Sequence, residues 1–214
     1  MPEGKERTPV NLGFLASHNG SNMQAIIDAC AAGRLRARPV VVISNNADSG
    51  ALARARNCGI PAFHLGSRRY PDADELDRAI ADKLLEHDVQ LLILAGFMKR
   101  LGPHTLARFA GRVVNIHPAL LPAYGGRGMY GSRVHEAVIA AGEKETGISV
   151  HLVDDQYDTG PMIAERRVPV LPGETAAQLA ARLLPMEHEL YVETIRRIIA
   201  GEIAACMPAP GAGA

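Results

Sequence analysis

Two short stretches carry side chains able to do chemistry on a carbonyl group. In VVNIHPALLP (113–122) the amide of Asn115 and the imidazole of His117 stand two residues apart, and Pro118 prevents a helix from continuing. Val113 and Val114 have the character of a buried strand, so both groups fall at a strand end, where open parallel sheets bind ligands. In DDQYDTGP (154–161) Asp158 precedes Thr159-Gly160-Pro161, a sharp reversal between two β-type runs. A carboxylate beside an imidazole favours the protonated ring and raises its pKa. A cationic His117 can donate to an oxygen that gains negative charge, and the Asn115 amide can do so without changing charge. Together they make an oxyanion site, in which one such donor is worth about a hundred- to a thousandfold in rate. Asp158 can also pass a proton, directly or through water. The plainer readings are a structural histidine and a turn-capping aspartate.

No serine, cysteine or lysine stands in an arrangement that demands a covalent intermediate. There is no HExxH, and His117, His135 and His151 do not have the spacing of a metal site, so no metal is expected. The chemistry implied is direct attack of a bound nucleophile on a carbonyl, with the protein stabilising the tetrahedral charge. A second feature is the loop SHNGSNMQA (17–25). Asn19-Gly20 supplies a tight turn, and the backbone N–H groups of residues 20–22 then face outward from a helix start, an arrangement suited to a phosphate. The loop lacks both GxGxxG and the GK[ST] of nucleotide hydrolases, which points to a monophosphate rather than NAD or ATP. An ordinary helix start, capped by Ser21 or Asn22, explains the same residues without a ligand.

The elements that must position these groups alternate. Apolar runs at 10–17, 38–45, 60–66, 89–96 and 112–116 read as strands, and 21–33, 49–59, 72–88 and 104–111 between them read as helices. Near-continuous apolar strands joined by helices predict a parallel sheet with helices on both faces. After residue 117 a glycine-rich loop (123–132) leads to a helix at 133–142, then to β-type runs at 147–155 and 160–170 joined by a turn. In the first of these, Ile148, Val150 and Leu152 alternate with Ser149, His151 and Val153, which predicts one mostly apolar face. A last helix over about 174–200 is expected to be capped near Glu174 and kinked at Pro185. The fold class is α/β: a Rossmann-like open sheet, mostly parallel, with an antiparallel C-terminal part. The chain reads as one domain, 1–214, with an ordered core of about 10–203 and disordered ends, including the tail MPAPGAGA (207–214).

Lys plus Arg is 23 and Asp plus Glu is 23, a balance that gives no electrostatic case for nucleic acid or an anionic membrane. Three cysteines, Cys30, Cys58 and Cys206, without CxxC spacing read as free thiols, with Cys30 in an apolar helical pattern. With no signal-peptide pattern and no apolar run of membrane-spanning length, the expected location is the cytoplasm.

In order and spacing, SHNGSN, LAGFM (94–98), NIHPALLP and DTGP resemble the phosphoribosylglycinamide formyltransferases, folate-dependent enzymes of purine synthesis, from about residue 11 to 203. NIHPALLP with DTGP marks the wider formyltransferase group, and the NGSN loop narrows it. The resemblance implies that the amine of glycinamide ribonucleotide attacks the formyl group of 10-formyltetrahydrofolate. Asn115 and protonated His117 would hold the formyl oxygen, and Asp158 would raise the pKa of His117 and help move the amine proton. The substrate phosphate would lie on Gly20, Ser21 and Asn22, and Glu187 would contact the ribose. Met98, Lys99, Arg100 and Leu101, with Asn115 and the turn Asp154, Asp155, Gln156, Tyr157 and Asp158, would line the folate pocket. Without the resemblance, LAGFM is a strand leaving the core and Glu187 a solvated helix face. The expected partners are folate and the ribonucleotide, with no nucleic acid and no membrane, in a monomer or homodimer.

Two departures stand out. His18 replaces a glycine common in the family's phosphate loop, and the segment 124–135 is longer than in many members, with glycines suited to the hinges of a lid. No arginine is assigned to the folate tail, Arg68 and Arg69 being the nearby candidates. The rivals are another 10-formyltetrahydrofolate enzyme of the same fold or a non-catalytic nucleotide-binding module. A transfer-RNA formyltransferase is expected to carry a further C-terminal domain and a basic surface, and a formyltetrahydrofolate hydrolase an N-terminal regulatory domain. A non-catalytic module would not need Asn115, His117 and Asp158 together.

Overall fold

The computed structural model describes residues 8–203; Cys206 and the expected disordered tail lie outside the described residues. The elements follow in the order β1 (Val10–Leu15), α1 (Ser21–Ala31), β2 (Ala37–Ser44), α2 (Gly50–Asn57), β3 (Ala62–His64), α3 (Ala73–Glu86), β4 (Leu91–Leu94), α4 (Pro103–Arg108), β5 (Val113–His117), α5 (Ser132–Ala140), β6 (Glu145–Leu152), β7 (Met162–Pro169) and α6 (Ala176–Ala200). They build one seven-stranded sheet, ordered β3-β2-β1-β4-β5-β6-β7. Pairing is parallel from β3 through β5 and antiparallel for β5–β6 and β6–β7. The chain winds outward from β1 through β2 to β3, then returns to place β4 on the other side of β1. That reversal opens a crevice at the strand ends, where a Rossmann-like sheet binds its ligand.

The period of two along each strand divides the core. Leu12 and Phe14 of β1, Leu91 and Ile93 of β4, Val114 and Ile116 of β5, and Ile148, Val150 and Leu152 of β6 join one apolar cluster with α1, α2 and α6. Leu15, Val41, Ile43, Leu92, Leu94 and Val113 face the other way, into a cluster with Ile80 and Leu84 of α3. No buried residue of β6 belongs to that second cluster. On this face β5 presents Asn115 and His117, and β6 presents their cross-strand partners His151 and Ser149. Polar side chains therefore occupy the stretch of sheet that the second cluster leaves.

One local expectation changes, and other local features gain detail. Helix α1 is capped by Gly20, not by Ser21 or Asn22; no side chain caps it. Gly20 has φ 71°, and an added Cβ would lie 2.8 Å from Ala51 Cβ, so only glycine fits. Helix α6 starts with a capping box in which Thr175 and Gln178 satisfy each other's backbone N–H groups, one residue beyond the expected Glu174. Glu174 instead pairs with Arg182 at 2.7 Å. Pro185 lies inside α6 without ending it; Ala181, whose carbonyl loses its helical partner there, is exposed. Strand β6 is buried on both faces after its first residue, because the face bearing Ser149 and His151 is covered too.

Candidate active site

A cavity of about 570 Å³ opens at the C-terminal ends of β4 and β5. One wall carries Asn115, His117, His135, His151 and Asp158; Met98, Lys99, Arg100 and Leu101 form another, with Asp154, Gln156 and Tyr157 near Asp158. Asn22 and Glu187 also reach it. Of the expected site residues, Gly20, Ser21 and Asp155 do not line this space, nor do Arg68 and Arg69.

Strand geometry places Asn115 and His117 on one face, and the turn after β6 returns Asp158 to them. His117 Nδ1 is 3.7 Å from Asp158 Oδ2. On the other side of its ring, Nε2 donates to the Tyr124 carbonyl at 2.8 Å. Asp158 has φ 58°, an uncommon conformation for a residue with a side chain, and its Oδ2 accepts from Gly126 N–H at 2.9 Å. His151 lies between the other two groups. Its Nδ1 donates to the Leu152 carbonyl at 2.7 Å, which leaves Nε2 to accept from the Asn115 amide nitrogen at 3.1 Å. The same Nε2 is 3.5 Å from Asp158 Oδ1. His151 thus turns the NH₂ end of Asn115 in a fixed direction and leaves its second N–H for a ligand.

The electrostatics correct one expectation. Burial is the largest influence on His117 and lowers its pKa; Asp158 and the Tyr124 carbonyl pull the other way, His151 pushes it down again, and the net result is below the ordinary histidine value. The carboxylate acts on the imidazole in the expected direction but does not prevail over burial. At Asp158 burial raises the pKa, and the contributions of His151, His117 and the Gly126 N–H outweigh it, so the group stays ionised. His135 is buried, lowered first by burial and then by His117, and its Nδ1 has no partner.

Glu187 is not on a solvated helix face. It is 8% exposed, burial raises its pKa, and its Oε2 accepts from Asn22 Nδ2 at 2.9 Å. The Asn22 carbonyl oxygen is buried without a partner, so this end of the cavity holds an acceptor suited to a hydroxyl group. Next to it, the Met98 backbone N–H is anchored by Ser17 Oγ at 2.9 Å, and Met98 Sδ lies 3.1 Å from His18 Nε2. His151 is a functional residue that the motifs do not single out: the alternation of its strand is visible in the sequence, but the pairing that sets it opposite Asn115 is not. Tyr124 contributes through its backbone carbonyl, for which residue type offers no signal.

Among the described residues no group of three or more His, Cys, Asp or Glu side chains is placed to hold a metal ion, and no helix is long and apolar enough to cross a membrane. Fold and cavity define a class: a Rossmann-like α/β protein whose ligand space, at the strand ends, is walled by an amide, imidazoles and a carboxylate. Within that class the chain belongs to the formyl transferase family, whose model matches residues 10–195. It is 38% identical over 182 residues to phosphoribosylglycinamide formyltransferase of Escherichia coli, covering 85% of this chain and 84% of that protein. It is 39% identical over 192 residues to the chloroplastic phosphoribosylglycinamide formyltransferase of Vigna unguiculata, covering 87% of this chain. The match spans 60% of the length of that plant protein and 64% of its Arabidopsis thaliana counterpart. The crystal structure of glycinamide ribonucleotide transformylase 1 from Symbiobacterium toebii superposes with a TM-score of 0.85 at 39% identity, over 93% of this chain and 90% of that one.

Proposed function

We propose that the protein transfers the formyl group of 10-formyltetrahydrofolate to the amine of glycinamide ribonucleotide, as a single formyltransferase domain. The observation that carries this reading is the convergence of Asn115, His117 and Asp158 on one cavity wall, in a chain of the formyl transferase family. The folate lies against Met98–Leu101 and the 154–158 turn. The ribose hydroxyls meet Asn22 and Glu187, and the phosphate sits on the first-turn amides of Gly20, Ser21 and Asn22, which no side chain caps.

In the reaction the amine lone pair attacks the formyl carbon and the C=O electrons move to oxygen. The second N–H of Asn115 donates to that oxyanion. The resting His117, neutral because burial dominates, has a free Nδ1 facing Asp158. The proton shed by the amine passes through Asp158 to Nδ1, and the imidazolium formed there donates to the oxyanion beside the ionised carboxylate. When the carbon–nitrogen bond to folate breaks, the departing nitrogen takes the proton back, so none is gained or lost.

The test is product analysis with purified protein and 10-formyltetrahydrofolate, with and without glycinamide ribonucleotide. The expected product is formylated ribonucleotide, formed only when the acceptor is present. Formate release at an equal rate without acceptor identifies a hydrolase and rejects the transfer.

A further inference from the structure

Which nitrogen of a histidine works depends on what holds the other. His117 Nε2 is 2.8 Å from the Tyr124 carbonyl oxygen. A carbonyl only accepts, so Nε2 carries the proton and, in the neutral ring, Nδ1 is bare. The carbonyl is aimed by an uncommon backbone: Tyr124 has φ 55°, a left-handed conformation that bulky residues rarely adopt. Two contacts hold it there. The phenol donates to Glu143 Oε1 at 2.7 Å, and the ring packs against the main apolar cluster. The next residue has no slack, because a Cβ on Gly125 would lie 2.5 Å from Leu121 Cδ2 and 3.3 Å from Asp158 Cβ.

We propose that Tyr124 is a positioning residue for formyl transfer: its main-chain carbonyl, held in place by the phenol–Glu143 hydrogen bond, fixes His117 as the Nε2–H tautomer and makes Nδ1 the working nitrogen. This rests on the reading of His117 as the imidazole at the formyl carbon. A proton reaching the ring in turnover then lands on Nδ1, on the side of Asp158, and the carbonyl favours the charged ring once it forms. The groups acting on His117 come from separate elements: Asp158 from the turn after β6, His151 from β6, and His135 from α5. Among the described residues, the Tyr124 carbonyl alone engages Nε2.

Long-range proton–nitrogen correlation spectra of the full chain, labelled with ¹⁵N-histidine and recorded above the imidazole titration, read the tautomer directly. His117→Ala identifies the His117 signals. The expected spectrum has a protonated Nε2 and a bare Nδ1. Tyr124→Phe keeps the ring packing and removes the phenol bond. In it the Nε2–H population is expected to fall and kcat to drop about tenfold with both KM values unchanged. The acidic limb of its kcat–pH profile is expected to move to lower pH, since the carbonyl no longer favours the charged ring. Glu143→Gln, which still offers the phenol an acceptor, is expected to behave like wild type, and Glu143→Ala like Tyr124→Phe. An Nδ1–H tautomer in the wild type overturns the inference, as does a Tyr124→Phe protein with wild-type tautomer and pH profile. A fully active His117→Ala protein would reject the role of His117 itself and the positioning role with it.

Discussion

At the scale of the residue, the site depends on two carboxylates in opposite situations. Asp158 stays ionised despite its burial, with the Gly126 N–H donating to it, whereas Glu187 is buried with one amide partner and its pKa is raised. Replacing Asp158 with Asn should lower kcat about a hundred- to a thousandfold and leave folate affinity near wild type, as steady-state kinetics and a binding titration would read. Wild-type turnover in that variant would exclude the carboxylate from proton transfer. The same substitution bears on pH. If the neutral ring is the form that accepts the proton, activity is lost as pH falls through the His117 pKa. That pKa is lowered, so wild-type activity should persist to lower pH than an ordinary histidine allows. Removing the upward pull of Asp158 should move the acidic limb lower still, and a shift to higher pH contradicts the assignment. His117 also shows what one-dimensional reading misses: its type and its carboxylate partner are visible in NIHP and DTGP, but the sign of its pKa shift is not. Burial comes from the covering loop and β6, and it outweighs the nearby charge.

At the scale of the element, helix α6 ties the two ends of the site together. Glu187 near its middle holds Asn22 of α1. One turn further on, the Tyr191 hydroxyl lies 2.9 Å from the carbonyl of Leu94, the last residue of β4, and 2.9 Å from that of Val114 in β5. Tyr191→Phe removes the one proton that these two carbonyls share and should cost about 1–3 kcal/mol of unfolding free energy, measured by denaturant titration; an unchanged midpoint would show that the bond contributes nothing. Gly20→Val forces a branched side chain into a left-handed conformation against Ala51. It should weaken the phosphorylated substrate more than folate, and equal weakening of both would count against a phosphate at this loop. The apolar periodicity of the strands and the glycines ending the first two helices made most elements legible. The α1 cap was not, because Gly20 serves through its backbone where Ser21 and Asn22 offered obvious side chains. The buried state of Glu187 was hidden for a related reason: neighbouring His188 and Glu189 suggest a wet face, and only the docking of α6 on α1 covers it.

At the scale of the whole molecule, the fold brings together residues from three distant parts of the chain. Strand alternation, β5–β6 pairing and the 154–161 turn deliver Asn115, His117, His151 and Asp158 to one face, while α1 and α6 close the far end. The parallel part of this plan follows from apolar strands alternating with helices. The cross-strand register that sets His151 opposite Asn115 does not, since a single sequence carries no pairing information across 36 residues. With no cluster of metal ligands among the described residues, formyl transfer should continue at its full rate in excess chelator, and a chelator-sensitive rate restored by one divalent ion would refute that expectation. The central claim is that the imidazole of His117 acts at the formyl carbon, in the company of Asn115 and Asp158. Its most direct test is the single-turnover rate of formyl transfer by His117→Ala, with folate and ribonucleotide binding measured on the same protein. The account predicts a rate at least about a hundredfold below wild type with both ligands still bound; a rate close to wild type would contradict it.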